Sequence, residues 1–137
     1  MALSGNYSPA RRGFSTGRRF GYPIAPGEVI YTGGLTGVNA SGQSQRIQTA
    51  GTVAFVGIAE AGSNNAESAA AGSTIVGQLD CYRLPVPGAT PANIGAPVYA
   101  TDDNTLTLTK PTSGFEGVVG YLAGIENGAT WVELSNH

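Results

Sequence analysis

The sequence predicts an all-β fold: a small antiparallel β-barrel or sandwich with one short helix and an extended N-terminal arm. Three observations predict it. Gly, Ser, Thr, Ala and Val dominate the composition, and 21 glycines are scattered without a collagen-like period. Short apolar stretches recur between turn residues such as Gly33-Gly34, Asp102-Asp103-Asn104 and Asn127-Gly128. Only one stretch, residues 63–71, reads as helical, and it spans about two turns. With 137 residues the chain fits one domain, divided here into an arm at 1–27 and a body at 28–137.

The arm carries Gly5, Pro9, Gly13, Gly17, Gly21, Pro23, Pro26 and Gly27, which interrupt any regular element. Its bases and rings form a near-repeat: Arg11-Arg12-Gly13-Phe14, then Arg18-Arg19-Phe20-Gly21-Tyr22. Such a segment has too little apolar surface to offset its ordering entropy, so it is expected to order only by lying on something. The body begins with a strand at 29–32, a turn at Gly33-Gly34 and a return at 35–38. Strands are expected at 46–49 and 52–59, the second apolar on both faces and therefore central and covered on both sides. The short helix at 63–71 would be capped by Asn64 or Asn65 and ended by Gly72. One strand is read across 74–84, a Pro-rich loop across 85–91 and a strand at 97–100. Asp102-Asp103 opens a turn, and Thr105 to Thr109 alternates as a half-buried strand. Strands at 118–125 and 130–134 are joined by Asn127-Gly128, the strongest short hairpin signal.

Charge is sparse, at 12% of residues, and unevenly placed. Residues 1–22 hold four arginines and no acid, giving +4. The rest holds Arg46, Arg83 and Lys110 against nine acids, giving −6. A basic segment on an acidic body points to a tail that seeks a partner. No apolar run approaches the ~20 residues of a membrane helix. Met1 to Gly5 lacks a charged region followed by an apolar one, so no signal peptide is expected.

Catalytic equipment is not expected. The only histidine is His137, and the only cysteine, Cys81, has no other histidine to activate it. Cys81 reads as a packed thiol. Asp102-Asp103 reads as an Asx turn in preference to a Ca²⁺ site, because no D-x-D-x-D spacing surrounds it. No Cys/His cluster suits zinc, and neither GGLTG (33–37) nor GVVGYLAG (117–124) matches a phosphate- or dinucleotide-binding loop. No cofactor and no metal are therefore expected. The candidate partner-binding residues are Arg11, Arg12, Phe14, Arg18, Arg19, Phe20 and Tyr22. Arginine and aromatic residues dominate protein interface hot spots, so protein docking ranks above a plain tail. Nucleic acid ranks last, because the acidic body repels a polyanion.

Several phrases resemble the capsid-stabilising decoration (cement) proteins of tailed bacteriophages. PGEVIYTGGLTGV (26–38) is similar to their first hairpin. TVAFVGIAEAG (52–62) and AGSTIVGQLDCYRLPV (71–86) resemble their middle section. IGAPVYATDDNTLTLT (94–109) is the most specific phrase, and GVVGYLAGIENGATWVEL (117–134) is similar to their closing hairpin. The resemblance implies a non-enzymatic virion protein on the outer capsid surface, a homotrimer that holds neighbouring subunits of the major capsid protein together.

Overall fold

In the computed structural model, residues 2–5, 11–12, 20–59, 63–64, 74–78 and 81–135 are described. Over these the protein is all-β, with strands arranged in two main antiparallel sheets. The strands are β1 (Arg11–Arg12), β2 (Phe20–Pro23), β3 (Val29–Ile30), β4 (Leu35–Val38), β5 (Ser44–Arg46), β6 (Ala54–Ala59), β7 (Ser63–Asn64), β8 (Thr74–Gln78), β9 (Cys81–Arg83), β10 (Pro97–Ala100), β11 (Leu106–Thr107), β12 (Val118–Glu126) and β13 (Ala129–Leu134). One sheet runs β1-β9-β13-β12-β10-β11 and the other β2-β8-β6-β4-β5, while β3 and β7 form a separate pair. Both main orders are open, so neither sheet closes on itself.

The hairpin β12–β13 shows how the sequence builds this. Val119, Leu122, Val132 and Leu134 are buried while Tyr121, Ala123 and Glu133 face solvent. Asn127 and Gly128 take φ of 53° and 78°, the left-handed pair that a tight two-residue turn demands. β6 lies at the centre of its sheet as expected, but its cover is uneven: Phe55, Gly57 and Ala59 on one face are buried, while on the other Ile58 is buried and Ala54 and Val56 are half-buried. Phe55 and Ile58 from β6 and Leu35 from β4 meet Tyr82, Val98, Leu106, Val119 and Leu122 from the other sheet in one core. Burial of this apolar surface between the sheets is the main stabilising term.

Several elements differ from their sequence reading. Ser63–Asn64, read as the start of a helix, is a strand paired with Val29–Ile30; the rest of that stretch lies outside the described residues. The only helical turn among the described residues is a 3₁₀ turn at Pro91–Asn93, inside the Pro-rich loop. There Asn93 Oδ1 accepts the N–H of Thr90 at 2.8 Å. The stretch 74–84 is not one strand: β8 belongs to one sheet and β9 to the other, so the chain changes sheets between them. After Arg46 the chain turns instead of extending, because Thr49 N–H bonds back to Arg46 O at 3.0 Å.

The β5 edge is covered by its own chain. Ile24 bridges Ser44, Ala25 N–H donates to Ser44 O at 2.9 Å, and Glu28 Oε2 accepts Arg46 N–H at 2.6 Å. On β11, Leu106 N–H donates to Pro85 O at 3.0 Å. Covered edges remove the template that would otherwise recruit other chains.

Candidate docking surface at the N-terminal segment

The described part of residues 1–27 is fastened to the body at several points. Arg11 and Arg12 pair antiparallel with Tyr82 and Cys81, making β1 an edge of the six-stranded sheet. Phe20 to Pro23 pair with Gly77 to Thr74, making β2 an edge of the five-stranded sheet. One segment thus contributes an edge strand to each sheet, following β8 and β9 as they cross between them. Of the residues proposed for docking, Arg11, Arg12, Phe20 and Tyr22 lie on these strands, and Tyr22 is half-buried. Phe14, Arg18 and Arg19 lie outside the described residues. Beyond β2, Ile24 is fully buried against Ile30 and Ala59, and Ala25 is buried too.

The first residues are held by a contact that sequence reading missed. Leu3 N–H donates to Asp103 Oδ1 at 2.8 Å across 100 positions of chain. Gly34 makes room for it, since a Cβ there would stand 3.3 Å from Leu3 Cδ1 and 3.4 Å from Asp103 Oδ2. Asp103 is buried, and its backbone O accepts Leu35 N–H at 2.7 Å. Arg46 Nε lies 3.9 Å from Asp103 Oδ2 and donates to Val29 O at 2.8 Å, while the guanidinium rests 5.0 Å from the Tyr31 ring centre. Oδ2 is buried without a hydrogen-bond partner among the described residues. Asp102 plays the turn role expected of the acidic pair: its Oδ1 accepts Asn104 N–H at 2.9 Å. Among the described residues, no group of three or more His, Cys, Asp or Glu side chains is placed to hold a metal.

Burial pushes the Asp103 carboxyl above its ordinary 3.8, outweighing the opposing pulls of the Leu3 N–H and Arg46. The folded protein therefore holds this proton more tightly than the unfolded chain does. Its contribution to stability is full below about pH 3.8 and is lost as pH rises through the raised value. Asp103→Asn removes that dependence. The wild-type unfolding midpoint in urea, measured relative to the Asn variant, is expected to fall as pH rises across this acidic window. A constant difference would assign the slope to other carboxylates.

Cys81 is half-buried on β9, in register with Arg12 on one side and Glu133 on the other. His137 lies outside the described residues, and no helix among those described is long and apolar enough to cross a membrane. Comparison with protein-family models, curated proteins and solved structures finds no match to this chain.

Proposed function

We propose that this chain is a structural virion protein that binds the outer surface of a phage capsid and stabilises contacts between major capsid subunits. In this reading the body is a two-sheet sandwich, the working form is a homotrimer and no catalytic step occurs. The observation that carries it is the charge division: four arginines interleaved with Phe14, Phe20 and Tyr22 in residues 1–22, on a charge-poor body of −6. A basic aromatic segment supplies hot-spot residues for a protein surface. Three such segments on one trimer reinforce one another, because each contact raises the effective concentration of the next. The edge position of β1 and β2 supports the reading, since it holds the root of this segment on the body.

The test is decoration of expanded capsids that lack the protein. Arg18→Glu combined with Arg19→Glu is expected to weaken decoration at least ~10-fold, in line with loss of about 1.4 kcal/mol or more of interface energy. Unchanged decoration by a folded double variant refutes the docking role. Stoichiometry in purified particles separates this reading from a head-fibre base or tail component, since cement covers the whole shell. DNA binding that falls steeply with salt would instead point to a nucleic-acid partner.

A further inference from the structure

A cleft of about 570 Å³ lies where the end of β10, the strand β11 and the loop 108–114 meet. That volume falls within the range of small-ligand sites, roughly 300–1,000 Å³. Its walls are braced. Gln48 Nε2 donates to Ala100 O at 2.8 Å and to Phe115 O at 3.0 Å, while Phe115 N–H donates to Gln48 Oε1 at 2.9 Å. One carboxamide thus ties the end of β10 to the end of the loop. Phe115 packs on the core, and Pro111 fixes its own φ within the loop. A cleft held this way loses little entropy on binding.

Its lining is chemically one-sided. Thr101, Thr107, Thr109, Thr112 and Ser113, all hydroxyl-bearing, line it together with Lys110, the only lysine in the chain. Thr107 Oγ1 accepts Thr109 N–H at 3.1 Å. The other four hydroxyls, the Lys110 ammonium and the backbone N–H groups of Thr112, Ser113 and Gly114 bond to no described residue. No carboxylate lines the cleft, although the body is strongly acidic; Asp102 and Glu116 are near in sequence but outside the lining. Without a carboxylate to balance it, the Lys110 ammonium disfavours a cation in the cleft. Without an aromatic ring it offers no platform for a sugar ring. What remains is one positive charge beside hydroxyls that can donate and backbone N–H groups that no described residue uses, which suits a compact oxyanion.

We infer that this cleft binds a small tetrahedral oxyanion, phosphate or sulfate, either free or as the ester of a larger molecule. Lys110 supplies the charge, and Thr112 and Ser113 supply hydroxyl donors. This inference is independent of the capsid reading. The test is a ¹⁵N–¹H NMR titration of the full chain with sodium phosphate and sodium sulfate, against sodium chloride at matched ionic strength. Glucose and glucose 6-phosphate form a second pair. Saturable shifts at Thr101, Lys110, Ser113 and Gly114 are expected with both oxyanions and not with chloride or glucose. Tighter binding of glucose 6-phosphate than of phosphate assigns the site to esters, and equal or weaker binding to the free ion. Lys110→Ala is expected to weaken binding roughly tenfold, by loss of one charge-assisted hydrogen bond, and Lys110→Arg to retain it. The inference is overturned by absence of saturation with phosphate, by an equal response to chloride or glucose, or by unchanged affinity in a folded Lys110→Ala variant.

Discussion

Gly120→Val is expected to abolish the folded state. Gly120 is buried in β12, paired with Leu134 on β13 and with Val98 on β10, so backbone flanks it on both sides. A Cβ there would press on Glu133 O and stand 3.0 Å from Leu134 Cα and 3.1 Å from the Glu133 carbonyl carbon. All three atoms belong to the neighbouring strand, so relief requires opening the ladder. Overpacking that moves backbone costs about 3 kcal/mol or more, a large share of the 5–15 kcal/mol that holds a small domain together. Gly124, in the same strand, is the internal control: a Cβ there meets nothing within 4 Å. Gly124→Ala is expected to shift the urea midpoint only slightly, while Gly120→Val yields insoluble or unfolded protein. A Gly120→Val variant with a wild-type midpoint would show that the two strands can separate at no cost.

Removal of residues 1–22 is the second change with a large expected effect. It deletes Arg11 and Arg12 from β9, Phe20 to Tyr22 from β8 and the Leu3 contact from Asp103. Each net hydrogen bond contributes about 0.5–1.5 kcal/mol, so the loss amounts to several kcal/mol. It also bares the edges of β8 and β9, which then offer unpaired N–H and C=O groups to other chains. The expected result is a lower unfolding midpoint and concentration-dependent aggregation, measured by urea titration and light scattering. A truncated protein that stays monomeric with an unchanged midpoint would mean that these edge strands contribute nothing to the body. For the same reason, point substitutions at Arg18 and Arg19 test docking more cleanly than truncation.

Legibility in the sequence followed the range of the signal. The Asn127-Gly128 hairpin, the central β6 and the Asp102 turn were readable because each is encoded by neighbouring residues. The split between β8 and β9 was not, because only Leu79 and Asp80 separate them and no Gly, Pro or Asn marks the change of sheet. β1 and β2 were hidden for a different reason. Strands of two and four residues carry no periodicity, and ladder bonds use backbone groups that every residue shares. Ile24 sits beside Pro23 and near Pro26, where a single apolar residue reads as loop, yet it is fully buried. The Leu3–Asp103 contact links positions 100 residues apart and has no local trace. Thr107 and Thr109 read as part of an alternating strand, and no sequence signal joins them to Lys110, Thr112 and Ser113 around a cleft; the Gln48 bonds that tie Ala100 to Phe115 span distant parts of the chain.

The attachment of the N-terminal segment also sets an order of assembly. Arg11 pairs with Tyr82, 71 residues later (82 − 11), and Phe20 pairs with Gly77, 57 residues later (77 − 20). Leu3 waits for Asp103, 100 residues later. The stretch made first is therefore among the last to find its partners. Pairings over such separations close slowly, because loop entropy is spent before any contact forms. During synthesis Arg11 and Arg12 stay unpaired until more than half the chain has emerged. The nascent protein thus passes through a period in which its most basic segment is exposed and its β8 and β9 edges are open. Open edges of that kind are where strand exchange between neighbouring chains begins.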